Sequence, residues 1–545
     1  MQSGIRNVAR GAPVVAVLTM LTACGGGDSV SVPPPGYTVG GTVTGLSGSG
    51  LVLQDTYGAD LAITASGAFT FPTPLVSGAS YSITVKSWPA SPPQACQVTN
   101  GAGTINAANV TNVSVTCQSG FTVSGTVSGL VGSGLTLATC MYGRHGPGGG
   151  GPAICINQRR VGANGTFTFN VVLPSSYSGF VSITQQPSSP TQRCAISNAG
   201  ISIQTVSGAG FTVACTGYAY VTNGADNTLS AYSIDPTTGA LALLGTPIAT
   251  GTSPSAAAAA GAQYDDPNVS GYVYVANKGS NDISAFTVNN TTGELTVVPG
   301  APFAAGTDPQ GILLGPADYL YVANAGSDNV FLYPIPYGAL QAPSTIATGK
   351  NPTSMAIAPL YSAVVYVANH GGSNDISAFL YDGTPVRGSP FPAGGNPLSL
   401  AVGAGGRFLY SANPDAKNPS ISGFNIDQTG ALTPLPGSPL PLPVSHYIAT
   451  DQTGAYLYVT SGASIVGYAI DSNTGALTAL SGFPVAAGTN AYSITIDPSN
   501  QFLYVANDGA ASISGFRRDA TTGALTPMVG SPFPAGNHPQ FIATF

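Results

Sequence analysis

Side chains that could support acid–base chemistry are scarce in this sequence. The 545-residue chain has four His, 14 Lys and Arg, and 21 Asp and Glu. His538, His446 and Asp308 stand at or just ahead of short alternating segments, and each could supply a general base. An anionic substrate would also need cations. From Tyr218 to Phe545 the cations are Lys278, Lys350, Arg387, Arg407, Lys417, Arg517 and Arg518.

A second set of candidates comes from aligning the seven repeated segments. In each repeat the candidate is the residue just ahead of the segment. The aligned residues are Ser253, Asp308, Asn351, Asn396, Val444, Asn490 and His538. His446 follows Val444 by two positions, whereas Asp451 and Asp497 fall near the far ends of their segments. We expect the candidate binding residues at the mouth of a central channel to be Ser253, Asp308, Asn351, Asn396, His446, Asn490 and His538.

The competing interpretation is structural, because Asn and Asp before Pro or at strand ends commonly cap turns. The repeated Asn277, Asn324, Asn369 and Asn507 fit this role well. A ring of carboxamides could nevertheless bind a polar ligand such as a glycan. No set of residues has the spacing of metal ligands, so we predict no metal and no cofactor.

A repeat fills the part of the chain that must position these residues. A tetrapeptide occurs seven times: Tyr220-Val-Thr-Asn, Tyr274-Val-Ala-Asn, Tyr321-Val-Ala-Asn, Tyr366-Val-Ala-Asn, Tyr410-Ser-Ala-Asn, Tyr458-Val-Thr-Ser and Tyr504-Val-Ala-Asn. Successive tyrosines are 54, 47, 45, 44, 48 and 46 residues apart, which suits one four-stranded propeller blade per repeat. We therefore predict a seven-bladed β-propeller over residues 217–545.

The seventh repeat shows the expected strands of one blade. From the axis outward they begin at Tyr492, Phe502, Ser512 and Ala524. Asp519-Ala-Thr-Thr-Gly523 has the pattern of a hairpin with a Gly bulge, and the Pro-rich segment 530–536 should cross to the next blade without ladder bonds. The first repeat has no inner strand, so we expect residues 538–545 to fill that gap and close the ring.

The repeat, with Ile-Ser-Ala-Phe, Thr-Thr-Gly-Ala-Leu and Gly-Ser-Pro-Phe after the tetrapeptide, resembles the YVTN-type propellers grouped with the seven-bladed lactonase family. That resemblance covers about Tyr218 to Phe545 and implies either a hydrolase similar to 6-phosphogluconolactonase or a surface protein. The His-x-His that we associate with the lactonases does not occur, so we carry over no catalytic residue.

Two copies of a smaller module precede the repeat. Tyr37-Thr-Val-Gly-Gly-Thr-Val recurs as Phe121-Thr-Val-Ser-Gly-Thr-Val, and alternating residues between Gly and Ser turns predict small antiparallel β-sandwiches over 37–118 and 119–216. They resemble the prealbumin-like and immunoglobulin-like modules of bacterial surface proteins. Cys96 and Cys117 are 21 residues apart, as are Cys194 and Cys215, which indicates one disulfide per module. We expect Cys140 and Cys155 to pair across an insertion in the second copy.

The odd cysteine, Cys24, follows an apolar segment. Arg6 and Arg10 precede the run from Val14 to Leu21, a pattern typical of a signal peptide over residues 1–23. Leu21-Thr-Ala-Cys24 looks like the lipobox of bacterial lipoproteins, in which the Cys receives a lipid. An ordinary signal peptide is the alternative. Residues 24–36 read as a flexible linker, and we expect a cell-envelope protein lipid-anchored in the outer membrane.

Composition narrows the functional classes. Only 6% of residues are charged and the pI is near 4.8, so there is no basic footprint for nucleic acid. From this architecture we favour a lipid-anchored, non-catalytic surface-binding or scaffold protein whose partner is a polar ligand, a glycan or an envelope protein. The alternative is a lactone hydrolase acting at the channel mouth. Cationic and His side chains clustered at that mouth would favour the enzyme.

Overall fold

The computed structural model describes residues 36–143, 151–174, 179–188, 192, 194–197, 200–201, 211–261, 269–289, 292–316, 318–359, 363–415, 417–442 and 446–545. The predicted signal peptide, Cys24 and nearly all of the linker lie outside these residues, as does Val444. In this part of the chain no helix is long and apolar enough to cross a membrane. Its helices are the short 3-10 turns Ala325–Ser327, Pro336–Gly338 and Ala404–Gly406, so the fold is all-β.

The chain divides into two compact units. One comprises Met1–Pro92 and Cys96–Cys117, and the other comprises Pro93–Ala95 and Gln118–Phe545. The first unit packs Val43, Leu53 and Ile105 into its core, beside the disulfide between Cys96 and Cys117. Its strands are Val39–Thr44, Leu51–Gln54, Asp60–Ile63, Gly67–Thr70, Ser80–Ser82, Thr84–Ser87, Gln94–Thr99, Ala102–Thr104 and the first part of Val110–Ser128.

The second unit begins with the other small module. Its core includes Leu137, Phe169 and Val213, and its disulfides join Cys140 to Cys155 and Cys194 to Cys215. Its strands are the end of Val110–Ser128, Thr136–Gly143, Gly151–Arg160, Gly165–Pro174, Gly179–Gln185, Ala195–Ser197, Gly200–Ile201 and Phe211–Ala214. Both modules contain a parallel strand pair, since Val110–Ser128 runs parallel to Val39–Thr44 and to Phe211–Ala214. The sequence had predicted wholly antiparallel modules.

The rest of the second unit is the propeller, built from seven separate antiparallel sheets. The inner strands are Pro254–Gly261, Pro309–Gly315, Pro352–Ala358, Ser399–Gly403, Ile448–Thr450, Ala491–Ile496 and Pro539–Thr544. The second strands, which contain the tetrapeptides, are Gly217–Asn223, Val269–Asn277, Tyr319–Asn324, Val364–Asn369, Phe408–Asn413, Tyr456–Ser461 and Phe502–Asn507.

The third strands are buried like the second, whereas most of the fourth strands are short and exposed. The third strands are Thr228–Ile234, Asp282–Asn289, Asn329–Pro334, Asp375–Leu380, Ser420–Ile426, Ser464–Ile470 and Ser512–Arg518. The fourth strands are Leu241–Leu243, Leu295–Val297, Ser344–Ala347, Leu432–Pro434, Leu477–Ala479 and Leu525–Pro527, and in the fourth blade a single bridge between Phe379 and Pro385 takes this place. Six crossovers contain a two-residue strand that pairs with the start of the third strand: Ile248–Ala249, Phe303–Ala304, Phe391–Pro392, Leu440–Pro441, Val485–Ala486 and Phe533–Pro534.

The first blade takes its inner strand from the end of the chain. Pro539–Thr544 pairs antiparallel with Gly217–Asn223, and the backbones of Tyr218 and Phe545 exchange hydrogen bonds of 2.9 and 3.0 Å. Each inner strand contacts the next, from Pro254–Gly261 round to Pro539–Thr544 and back. The terminal strand therefore completes the first blade and closes the ring of inner strands.

Candidate functional site

One end of the channel brings together the starts of the inner strands and the ends of the second strands. Antiparallel pairing sets Pro309 opposite Asn324 and Pro539 opposite Asn223. We call this end the mouth. The residue before each inner strand therefore lies beside the turn that joins the second strand to the third.

Five of the residues predicted at the mouth have a left-handed backbone conformation, which favours small polar residue types at these positions. The φ angles of Ser253, Asp308, Asn351, Asn490 and His538 lie between +52° and +56°, a left-handed region that Asn and Asp tolerate better than most residues. Each of the five carbonyls accepts a hydrogen bond from the residue that follows a second strand, over 2.8 to 3.1 Å. The backbone of each of these five residues therefore stabilises the turn that follows the second strand.

Neighbouring blades also hold these backbones. The N–H of Ser253 donates to Asn227 Oδ1 at 2.7 Å, and that of Asp308 donates to Asn281 Oδ1 at 2.8 Å. Asn227 and Asn281 themselves have positive φ angles. The turn-capping interpretation therefore holds for the turn residues and for the backbone of the mouth residues.

The repeated tetrapeptide Asn is a buried structural group. Asn223, Asn277, Asn324, Asn369, Asn413 and Asn507 are all fully buried. The Nδ2 group of Asn507, for example, donates to Ser512 and Ser514 at 3.1 and 3.0 Å, and its Oδ1 accepts from the N–H of Gly488. Crossover glycines pack directly on these amides: a Cβ at Gly536 would lie 2.5 Å from Asn223 Cγ. These amides are therefore inaccessible to a glycan.

A polar cluster forms where the seventh blade meets the first. His538 Nδ1 lies 3.3 Å from Asp508 Oδ1, and Asn490 Nδ2 donates to Asp508 Oδ2 at 2.8 Å. The His538 side chain is 61% exposed and that of Asp508 is 18% exposed, so solvent reaches the imidazole while the carboxylate is held. Hydrogen bonds from the backbone and side chain of Asn537 hold the pKa of nearby Asp226 below its usual range, and the charge of His538 adds to this.

Aromatic side chains adjoin this cluster. The ring of Tyr492 lies 4.8 Å from that of Tyr447 and 6.1 Å from that of His446, and Tyr447 also contacts Phe541. Burial raises the pKa of Tyr492, and the Asp508 carboxylate raises it further. Burial likewise raises the pKa of Tyr447. Both phenols are therefore neutral near pH 7 and can donate hydrogen bonds.

We call His446, Asn490, Tyr492, Asp508 and His538 the seam cluster. The sequence predicted its two histidines and Asn490 as mouth residues. The structure brings His538 and Asn490 together on Asp508, whereas His446 joins the cluster through the ring of Tyr492. Ser253, Asp308, Asn351 and Asn396 occupy the matching positions of other blades, where Asp308 accepts a hydrogen bond from Gln310 and Asn396 accepts one from Gly371. The mouth residues therefore do not form one site.

The sequence did not identify Asp508 or Tyr492. Asp508 directly follows the tetrapeptide Asn507, and Lys278 and His370 occupy the same position in the second and fourth blades. The residue that follows each tetrapeptide could have been identified as a candidate from the repeat alone. In the seventh blade this residue, Asp508, contacts the mouth residue of the next blade, His538. His370 is half-buried against the carbonyls of Asn396 and Pro397, and burial lowers its pKa.

At the other end of the channel, the charged residues predicted near the ends of the inner strands are buried and paired. Asp451 and Arg518 are fully buried and form an ion pair of 3.6 Å, while Asp497 accepts hydrogen bonds from the backbone of its own turn. These groups hold the turns between the first and second strands. Among the described residues no His, Cys, Asp and Glu group is arranged to hold a metal ion.

Known proteins were then compared with this chain. A family model described as "Lactonase, 7-bladed beta-propeller" matches residues 211–337 and 444–541. All five members of the seam cluster fall in the second matched segment. No curated protein matches the chain.

Solved structures share the propeller fold. A Bacteroides uniformis protein described provisionally as a 6-phosphogluconolactonase has 16% identity and a TM-score of 0.51, and the match covers 61% of this chain and 99% of that one. The periplasmic gluconolactonase of Pseudomonas aeruginosa has 18% identity and a TM-score of 0.50, over 60% and 99% of the two chains. A Lactobacillus plantarum protein has 19% identity and a TM-score of 0.50, over 61% and 99%. At these identities the likeness describes the fold.

Proposed function

We propose that the propeller is a lactone hydrolase that acts at the seam cluster. The observation that carries this proposal is the contact between His538 Nδ1 and Asp508 Oδ1, beside a neutral Tyr492. The lactonase family model, which matches the segments holding this contact, supports it. The proposal replaces the non-catalytic scaffold that architecture alone favoured.

The His–Asp contact can prepare a general base. An ionised carboxylate only accepts hydrogen bonds, so Asp508 favours the imidazole tautomer that has its proton on Nδ1. The exposed Nε2 of His538 is then free to take a proton from water. The water oxygen forms a bond to the lactone carbonyl carbon as this proton leaves.

The second half of the reaction returns the proton. The ring C–O bond breaks, and the protonated His538 donates its Nε2 proton to the departing alkoxide oxygen, which yields a hydroxy acid. We assign to Tyr492, as a neutral phenol, the donation of a hydrogen bond to the oxyanion that forms in between.

A panel of small lactones assayed by pH-stat tests this proposal on the full exported chain. We expect wild-type protein to open at least one of them, and His538→Gln to lower kcat/KM by about 100-fold or more, as removal of a general base does. Asp508→Asn should also slow the reaction. His370→Gln is the matched control, since it changes a mouth histidine outside the seam cluster. Hydrolysis unaffected by His538→Gln would contradict the proposed site. Failure to hydrolyse any lactone would instead favour the non-catalytic surface-binding or scaffold protein.

We also propose that the chain is exported and anchored in the bacterial outer membrane through a lipid on Cys24. The three disulfides support an oxidising compartment outside the cytoplasm, and the lipobox pattern of residues 21–24 supports the anchor. A polar lactone would then be the partner of the propeller, in place of a glycan or an envelope protein.

A further inference from the structure

Positive charge near the seam cluster is the first consideration, because it decides whether the site suits an anionic substrate. The sixth, seventh and first blades, which build the cluster, contain two Lys or Arg residues, Arg517 and Arg518. Both end the third strand Ser512–Arg518. Ser512 pairs with Asn507 at the mouth, so Arg518 lies six residues further along the strand, about 20 Å away.

Both arginines are also engaged where they lie. Arg518 is buried, pairs with Asp451 at 3.6 Å and donates to the carbonyl of Asn500 at 2.8 Å. Arg517 donates to the carbonyl of Thr237 at 3.1 Å. Neither guanidinium is available to a ligand at the mouth.

Negative charge, by contrast, lies at the cluster itself. Asp508 contacts His538 directly, and the carboxylate of Asp226 holds Asn537, the residue before His538, at 2.7 and 2.9 Å. When His538 is neutral, as a general base must be, a phosphate or carboxylate on the substrate would meet these two charges without a Lys or Arg from the same blades. Like charges placed together disfavour binding.

The remaining groups of the cluster suit hydroxyl groups and C–H faces. Carboxylate and amide oxygens accept hydrogen bonds from hydroxyls, and the amide of Asn490 donates them. The partly exposed ring of Tyr492, which lies 4.8 Å from that of Tyr447, presents aromatic surface on which a saturated ring can pack. We infer that the substrate is an uncharged polyhydroxy lactone, a sugar lactone without a phosphate; this inference rests on the proposed function.

Other lysines at the mouth belong to the second, fourth and fifth blades. Lys350 pairs with Asp328 at 2.6 Å, and Lys417 lies in the turn after Asn413, where its backbone N–H donates to Asp415. Lys278 follows Asn277 in the second blade, which adjoins the first. Lys278 is thus the cation to examine as a competing anchor for a phosphate.

The test compares δ-gluconolactone with 6-phospho-δ-gluconolactone on the full chain. We expect kcat/KM to favour the neutral lactone by about 30-fold or more at low ionic strength, and the preference to shrink as salt screens the carboxylates. Asn490→Lys, which adds a cation to the cluster, should narrow the preference by roughly tenfold. Equal or faster hydrolysis of the phosphorylated lactone would overturn the inference.

Two further outcomes are informative. A phosphorylated activity that is lost in Lys278→Gln would also overturn the inference, because it would make Lys278 the anchor. Loss of both activities in His538→Gln, with the neutral preference seen in wild type, would support it. Hydrolysis of neither sugar lactone by wild-type protein that opens another lactone of the panel would overturn this inference alone. Failure to open any lactone of the panel would overturn the proposed function, which separates the two failures.

Discussion

The tetrapeptide tyrosines show how single residues tie the blades together. The hydroxyl of Tyr504 donates to the carbonyl of Gly239 at 2.6 Å, and this bond joins the last blade to the first. The same bond links Tyr274 to Gly338, Tyr366 to Gly430, Tyr410 to Gly475 and Tyr458 to Gly523. The recurring Tyr therefore contributes an inter-blade hydrogen bond as well as buried aromatic surface.

Replacing Tyr504 by Phe should lower the free energy of unfolding by about 1–3 kcal/mol, because the Gly239 carbonyl would be left buried without its donor. Tyr220→Phe is the matched control. Its side chain is equally buried, and its hydroxyl has no hydrogen-bond partner among the described residues. Denaturant melts of the two variants measure the difference. Equal losses would show that the inter-blade bond contributes nothing.

His370 should make stability depend on pH. Burial lowers the pKa of His370 in the folded chain, whereas the unfolded residue titrates near 6.5. Stability is therefore fully present above about pH 6.5 and falls as pH drops toward the folded pKa, because the unfolded chain binds the proton more readily. Thermal melts should show a steeper decline from pH 7.5 to 5.5 for wild type than for His370→Gln. Parallel curves for the two proteins would contradict this account.

Residue types alone predicted part of the candidate site. The repeat located the histidines and Asn490 at the mouth, since one inner strand per repeat places the preceding residue there. It could not show that Asp508 faces His538, because that contact crosses from the seventh blade to a strand supplied by the chain terminus. Nor could it separate the backbone role of Ser253 and Asn351 from a binding role, since both roles favour small polar residues.

At the scale of elements, the strands of the seventh blade lie within two residues of those read from the sequence. Alternation and turn residues suffice there because each strand buries one face against a neighbouring blade. The crossovers differ from expectation: Phe533–Pro534 pairs with the third strand through Ser512 and Ile513, although this Pro-rich stretch was expected to make no ladder bonds. Proline is tolerated there because the pairing is brief and at a sheet edge.

The terminal strand is the element whose removal should cost most. Deleting residues 539–545 would remove the buried side chains of Ile542 and Phe545 and the ladder to Gly217–Asn223. Each large side chain contributes about 1.5–3 kcal/mol, so we expect the melting temperature of the propeller to fall by about 10 °C or more. Gln540→Ala on the same strand controls for a simple side-chain loss. An unchanged melt after the deletion would contradict ring closure by this strand.

At the scale of the whole molecule, the export proposal rests on Cys24. Cells given a labelled fatty acid should incorporate it into wild-type protein and retain the protein in the membrane fraction, because the thiol receives the lipid. Cys24→Ser should abolish incorporation of the label, because it removes the thiol. Label incorporated equally into Cys24→Ser, or absent from wild-type protein, would contradict lipidation at this residue.

Fold and function were predictable to different extents across the molecule. Seven repeats define a propeller because spacing and strand pattern follow directly from the chain. A lipid anchor and two small modules ahead of the propeller favoured a non-catalytic surface-binding or scaffold protein. The small number of Lys and Arg residues in the propeller also argued against a hydrolase that binds an anionic substrate. The His–Asp contact at the seam and the matched family segments now favour hydrolysis, with an uncharged substrate that needs no cation.

The central claim is that ligand chemistry takes place where the sixth, seventh and first blades meet. A crystal structure of the full chain with δ-gluconolactam, a neutral lactone mimic that resists hydrolysis, tests it most directly. The account predicts the lactam ring at the seam cluster, within hydrogen-bond distance of His538 Nε2 and beside Tyr492. A lactam bound elsewhere on the propeller, or none bound under conditions in which the lactone is hydrolysed, would contradict it.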